Sequence, residues 1–233
     1  MQGLLPGLTP PADEKLPREE SAFPYPQAGR LHEAIPAAIG DETKCSAFLL
    51  GLARRFLRGQ ELLWIREDQF ALEHGEVYAP GLSLFGLDPR ALLLVKAPKQ
   101  MEALWAAEQG LRRANAIVLL EIGQGRALDL TVTRRLALAC EANSSTAFLL
   151  RGDIVLTPRM PSAAWTRWRI SRARSHTSFP DELSPLALRA TLLRHRGGHQ
   201  DSQYFLEWKS DEYTFAIQTM GSDLATPALH RSA

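Results

Sequence analysis

The stretch AIVLLEI at residues 116–122 decides the fold, because six of its seven residues are apolar. A continuous run of this kind predicts a strand with both faces buried, as in a parallel sheet covered by helices on each side. Working outward, similar short runs recur: LHEAI (31–35), LLWI (62–65), ALLLV (91–95) and TAFLL (146–150). The segments 43–58, 100–113 and 128–141 lie between these runs and have apolar residues at helical spacing. The alternation predicts an α/β fold with a mostly parallel sheet.

The pattern changes after residue 150. TRWRISRA (166–173), ALRATLLRH (187–195) and SQYFLEW (202–208) are predicted to be strands that extend the same sheet in antiparallel fashion, with a turn at Gly197-Gly198. Six prolines lie within the first 26 residues. We therefore expect a flexible leader at 1–29, one domain at 30–209 and a frayed tail at 210–233.

The composition is that of an ordinary soluble domain, with 233 residues, 45% of them hydrophobic and 23% charged. This excludes disordered and fibrous classes. Two cysteines 95 residues apart cannot form a disulfide framework, and the N-terminus lacks the features of a secretory signal. No apolar run approaches the 18 residues of a membrane span. We expect a cytoplasmic protein without membrane association.

The loop at 36–45 is a degenerate version of the phosphate-binding pattern G-x-x-x-x-G-K-[ST]. With Lys44 as the pattern's lysine, Ala38 and Thr43 take the glycine positions and Cys45 takes the hydroxyl position. Gly40 is the loop's remaining glycine, and Asp41 and Glu42 add negative charge where phosphates would lie. Gly40, Lys44 and Cys45 are therefore candidate positions of a decayed nucleotide site. The alternative is an ordinary strand-to-helix loop capped by Thr43 or Asp41.

Acidic residues at strand ends supply further candidates for that site. Glu121 follows four apolar residues, as does the acid of a Walker-B strand that holds Mg²⁺ through water. Glu67 or Asp68, after LLWI, could activate a water molecule. The alternative is that these acids simply mark the carboxyl edge of a sheet, because without a metal and phosphates they have no reaction to catalyse.

Basic residues concentrate between 151 and 200, where nine arginines face three acidic residues and give a local net charge of +6. Six of these arginines, with one tryptophan, are candidate contacts to a partner or to nucleic acid: Arg167, Trp168, Arg169, Arg172, Arg174, Arg194 and Arg196. Guanidinium groups would bind phosphates while the indole stacks on bases. The alternatives are a basic protein interface, or a core strand with a solvated basic face.

Four phrases resemble the ImuA family of RecA-like proteins from the bacterial SOS mutagenesis cassette: FGLDPRALLLVKA (85–97), ALWAAEQGLR (103–112), LDLTVTRRLALACEA (128–142) and LRHRGG (193–198). The resemblance covers about residues 30–209. It implies a RecA-like core, that of a degenerate P-loop NTPase, in which the catalytic loop has decayed. Glu121 would then be a partial retention of the Walker-B acid, and Glu67 or Asp68 would match the catalytic glutamate.

The resemblance also implies partners. Members of the family act with ImuB, a catalytically inactive homologue of Y-family polymerases, and indirectly with an error-prone DNA polymerase. RecA filaments and DNA are further candidate partners. We therefore expect a non-enzymatic adaptor in damage-induced translesion synthesis, with no cofactor. The alternatives are a nucleotide-dependent ATPase or switch that uses Lys44 and Glu121, and an SOS protein similar to division inhibitors.

Overall fold

The protein forms one mixed sheet covered by helices in the computed structural model, which describes residues 23–123, 128–152, 160–173, 186–198 and 202–218. The strands are β1 (Leu31–Pro36), β2 (Leu62–Glu67), β3 (Leu92–Ala97), β4 (Ile117–Ile122), β5 (Thr146–Arg151), β6 (Thr166–Arg172), β7 (Ala187–His195), β8 (Ser202–Lys209) and β9 (Thr214–Gln218). The α-helices are α1 (Glu42–Ala53), α2 (Asp68–His74), α3 (Ala79–Leu82), α4 (Gln100–Leu111) and α5 (Leu130–Asn143).

The sheet has the strand order β3-β2-β4-β5-β1-β6-β7-β8-β9. The first six strands in this order run parallel to one another, and β7, β8 and β9 follow in antiparallel pairing. This confirms the predicted α/β class, with a mostly parallel sheet and an antiparallel C-terminal part. One detail differs, because β6 pairs in parallel with β1 and the antiparallel part therefore begins at β7.

Each face of the sheet carries its own hydrophobic core. On one face α1 packs through Phe48 against an aromatic cluster that includes Trp168 and Phe215. On the other face α4 and α5 cover the parallel strands through Leu104 and Leu136. The central strands β1, β4 and β5 are buried along their whole length. Burial on both faces explains why they appear in the sequence as unbroken apolar runs.

The predicted end of the first helix is wrong. The helix expected over 43–58 ends at Ala53, because the chain then tightens into i→i−3 bonded turns, with the N–H of Phe56 donating to Ala53 O. Between β2 and β3 the chain forms α2, α3 and two 3₁₀ turns, Ser83–Phe85 and Pro89–Ala91.

The expected leader and tail also need correction. The buried Phe23 stacks on Trp168 with ring centroids 5.2 Å apart, so a part of the 1–29 segment belongs to the core. At the other end, β9 continues the sheet beyond residue 209, and its Phe215 packs on Trp208 with centroids 4.9 Å apart. Among the described residues, no helix is long and apolar enough to cross a membrane.

Candidate functional site

Three of the segments with candidate residues meet at the carboxyl edge of the parallel strands. β1 leads into the loop before α1, β2 ends at Glu67, and Glu121 lies near the end of the neighbouring strand β4. This edge is where α/β proteins usually bind their ligands. The structure therefore brings together the positions that sequence reasoning assigned to a decayed nucleotide site.

In the loop before α1, charged side chains bind the loop's own backbone and one another. Gly40 has a φ of +88°, a left-handed conformation that suits glycine, and its N–H donates to Glu42 Oε2 at 2.7 Å. Lys44 Nζ donates to Gly40 O at 3.1 Å and lies 3.5 Å from Asp41 Oδ1. The carboxylate of Glu42 thus takes an amide that a phosphate would need, and Asp41 partly neutralises the lysine. The negative charge anticipated from the sequence does lie here.

Cys45 stands where a Mg²⁺-binding hydroxyl would be expected, and its side chain is fully buried. Burial raises the pKa of the Cys45 thiol well above its usual value, and the nearby Asp41 and Glu42 add to the effect. The thiol therefore stays protonated at neutral pH. A buried, protonated thiol is a poor ligand for Mg²⁺, which prefers oxygen.

Glu121, the candidate Walker-B acid, is completely buried and forms an ion pair with Arg66. Arg66 Nε donates to Glu121 Oε2 at 2.5 Å, and Arg66 also donates to the carbonyl of Gly75 at 2.8 Å. The second oxygen, Oε1, accepts no hydrogen bond within the described part of the chain. A permanently charged guanidinium therefore neutralises the carboxylate that would otherwise hold a metal.

Glu67 and Asp68 have different environments. Glu67 is buried, and its Oε2 accepts a hydrogen bond from the N–H of Gly123 at 2.9 Å. Desolvation raises the pKa of Glu67, and this hydrogen bond opposes the shift. Asp68 is the first residue of α2 and is partly exposed. Of the two, Glu67 is the buried acid at the strand end.

This arrangement does not suit Mg²⁺-ATP, the ligand that a RecA-like fold implies. The groups that would hold this ligand already have partners within the chain. The N–H of Gly40 is bound to Glu42, and Lys44 is paired with Asp41. Glu121, which would hold the metal, is paired with Arg66. Nor do the described residues contain a group of three or more His, Cys, Asp or Glu side chains that could hold a metal ion.

Of the candidate contacts in the arginine-rich segment, those within the described residues do not all lie on the surface. Trp168 is buried in the aromatic core, and its Nε1 donates to Thr166 Oγ1 at 3.2 Å, so it cannot stack on a base. Arg167 is also buried, with Nε 3.0 Å from Glu33 Oε1. Both residues are therefore structural, because successive side chains of β6 point to opposite faces of the sheet, Trp168 into the aromatic core and Arg167 onto Glu33.

The remaining arginines are dispersed. Arg169 is half-buried, Arg172 is exposed at the end of β6, and Arg196 is exposed in the turn after β7. Arg194 donates to the carbonyl of Ser162. Arg174 lies outside the described residues. Of the described candidates, Arg172 and Arg196 offer the guanidinium groups most open to a partner.

Sequence reasoning missed Arg66. Its signal was present, because β2 and β4 are neighbouring parallel strands in which Arg66 is in register with Glu121. A basic residue near the end of one buried strand and an acidic residue near the end of the next predict an ion pair once the strand order is known. The sequence alone did not supply that order.

Comparison with known proteins agrees with the architecture. The chain is similar to the crystal structure of the RadB recombinase, with a TM-score of 0.50 and 13% sequence identity over 78% of this chain and 89% of that one. No protein-family model matches the chain. Protein ImuA from two strains of Caulobacter vibrioides is 32% identical over 183 residues, which cover 73% of this chain and 71% of the relative. The structural similarity shows a RecA-like fold, and the sequence identity shows that the chain belongs to the ImuA family.

Proposed function

We propose that this protein is a non-enzymatic accessory factor in SOS-induced translesion DNA synthesis, acting with ImuB and an error-prone DNA polymerase. It serves as an adaptor, so its function lies in surfaces that bind other proteins. Nucleotide hydrolysis has no part in this role.

The ion pair between Arg66 and Glu121 carries the proposal. A buried acid already paired with an arginine has no free charge to offer Mg²⁺, and removing the arginine would leave an uncompensated buried charge. The Glu42 carboxylate on the N–H of Gly40 acts in the same direction, because it competes with any phosphate. These contacts favour a structural role for residues that catalyse in ATPases of this fold.

An exposed apolar patch on α4 supports the role as an adaptor. Met101 and Trp105 are one helical turn apart, and they are 63% and 65% exposed. Methionine and tryptophan are enriched in protein interfaces, and exposed tryptophan is a common anchor of binding energy. We call these two residues the α4 patch and assign it to a protein partner, with ImuB as the first candidate.

Damage-induced mutagenesis in cells tests the proposal. A strain that lacks its own copy of the gene is complemented with wild type, Lys44→Ala or Lys99→Ala, and mutation frequency is measured after ultraviolet irradiation. Lys99 is exposed and is the matched control. We expect all three proteins to restore mutagenesis equally, because neither lysine has a catalytic task. Loss of mutagenesis with folded Lys44→Ala alone would support a nucleotide-dependent switch instead.

A further inference from the structure

A groove runs along the side of α5 that faces away from α4. It has a volume of about 310 Å³ and is lined by residues of α5, with Ala163 and Arg196 on the side that faces them. The opposite flank of α5 is already engaged, because Arg135 forms an ion pair with Glu108 of α4. The groove and the α4 patch therefore lie on different sides of α5.

The floor of this α5 groove is apolar. Leu130, Ala137 and Leu138 line it, and the two leucines are 44% and 54% exposed. Their spacing of i, i+7 and i+8 places them on one face of the helix, whereas Leu136 and Cys140 point into the core. A single exposed leucine is ordinary, but two leucines along one walled groove are typical of a binding surface.

The groove also carries positive charge. Arg134 and Arg196 line it, and within the described part of the chain neither forms an ion pair with an acidic residue. Glu141, at one end, is already paired with Arg30. The acidic charge at the groove is thus neutralised by a residue of the chain itself, while the two arginines are open to an external acidic group.

We propose that the α5 groove binds an acidic amphipathic helix of a partner protein. Aliphatic side chains of that helix pack on Leu130 and Leu138. Its carboxylates bind Arg134, which lies one helical turn from each leucine, and Arg196 across the groove. From Leu130 to Glu141 the groove spans about 16 Å, at 1.5 Å per residue, which matches roughly three turns of a bound helix. This inference rests on the proposed adaptor function and adds a second interface to the α4 patch.

The lining favours a peptide over nucleic acid. Single-stranded nucleic acid binds through aromatic side chains that stack on bases together with a basic track along the backbone. The groove floor consists of leucine and alanine, and nearby Trp165 is already covered by the guanidinium of Arg30, 4.4 Å from its ring centroid. Leucine and alanine side chains beside two arginines fit a helix with one aliphatic and one acidic face.

The test measures binding of labelled probes to the full chain by fluorescence anisotropy. The probes are a 14-residue helical peptide of leucine and glutamate, the same peptide with lysine in place of glutamate, and a 14-nucleotide oligo-dT. The variant carries Arg134→Glu and Arg196→Glu. The control carries Arg58→Glu and Arg112→Glu, which reverse the same charge at exposed sites outside the groove.

We expect the acidic peptide alone to bind wild type and the control, with at least tenfold weaker binding to the groove variant and to Leu138→Asp. Circular dichroism should be unchanged in every variant. Absence of acidic-peptide binding, equal binding to the groove variant, or selective binding of oligo-dT would overturn the inference. Each of these results leaves the mutagenesis test of Lys44 unaffected, so failure of the groove is distinguishable from failure of the adaptor function.

Discussion

Arg66 Nε lies 2.5 Å from Glu121 Oε2, and both side chains are buried at the carboxyl edge of neighbouring parallel strands. In a Walker-type site the carboxylate at this position faces Mg²⁺ through water. Here the positive charge beside the carboxylate is Arg66, a residue of the same chain. Unlike a metal ion, it cannot leave the site, and its presence does not require a bound nucleotide. Under the proposed adaptor function, this ion pair gives Glu121 a structural role in place of metal binding.

Removal of Arg66 should therefore destabilise the protein strongly. Arg66→Ala leaves Glu121 buried without its partner, and we expect a loss of about 3–5 kcal/mol in the free energy of unfolding, measured with urea. The double variant Arg66→Met with Glu121→Leu should recover most of this loss, because it removes both charges. A stability of Arg66→Ala close to that of wild type would show that the ion pair is not formed.

Gly51 of α1 packs closely against two aromatic rings of the antiparallel strands, and this contact predicts the effect of a substitution there. A Cβ at this position would lie 2.6 Å from Phe215 Cε2 and 2.8 Å from Trp208 Cζ3. Alanine normally stabilises a helix interior by up to about 1 kcal/mol relative to glycine, but here two packed rings would have to move. We expect Gly51→Ala to lower the melting temperature.

Gly110 of α4 is the comparison for this variant. Its added Cβ would contact the flexible end of Leu63, with Cδ2 at 2.2 Å, which can rotate away. Gly110→Ala should therefore cost less stability than Gly51→Ala. The reverse order would mean that β9 does not pack on α1 as described.

His32 makes stability depend on pH. Its Nε2 donates to Gln27 O at 2.9 Å, so its Nδ1 accepts from the hydroxyl of Thr166 at 2.8 Å, and the ring is neutral. Burial lowers the pKa of His32 to about 4. Between pH 6.5 and 4 the unfolded chain gains a proton that the folded chain does not. The free energy of unfolding therefore decreases as the pH is lowered through this range, and this residue contributes about 3 kcal/mol at most to the decrease.

Urea unfolding of wild type and His32→Gln at several pH values checks this effect. The variant should show a flatter dependence between pH 6.5 and 4, because glutamine does not titrate. His74→Gln, at a partly exposed histidine, serves as the control for replacing a histidine elsewhere in the fold. Identical slopes for wild type and His32→Gln would rule out the proposed origin.

If the α4 patch binds ImuB, removing one of its two side chains should weaken that binding. Trp105→Ala should weaken capture of ImuB from solution by tenfold or more, since exposed tryptophan anchors commonly contribute 2 kcal/mol or more. Leu72→Ala removes another highly exposed apolar side chain and should leave capture unchanged. Equal capture by Trp105→Ala and wild type would place the ImuB interface elsewhere.

Most of the parallel core could be predicted because its strands are buried on both faces and therefore appear as apolar runs. Strand β9 could not be predicted, because a five-residue strand next to a polar turn has little periodicity, and its place depends on Phe215 reaching Trp208 and Phe48. The same holds for Phe23, which lies next to a proline-rich segment but packs on Trp168.

The sequence indicated which residues lie at the candidate site but not which ion pairs they form. The sequence placed Lys44, Glu67 or Asp68, and Glu121 at one sheet edge. It also indicated that Asp41 and Glu42 bring unfavourable charge to a phosphate site. It did not indicate that Arg66 neutralises Glu121, because that contact depends on strand order. Nor could it show that Arg167 is buried on Glu33, because arginine is normally a surface residue.

Equilibrium binding of ATP in the presence of Mg²⁺, measured by calorimetry on wild type and Lys44→Ala, tests the central claim most directly. With Glu42 on the N–H of Gly40 and Arg66 on Glu121, we predict no binding below millimolar concentrations for either protein. Micromolar binding by wild type that is lost in Lys44→Ala would contradict the account, because the loop would then still hold a nucleotide.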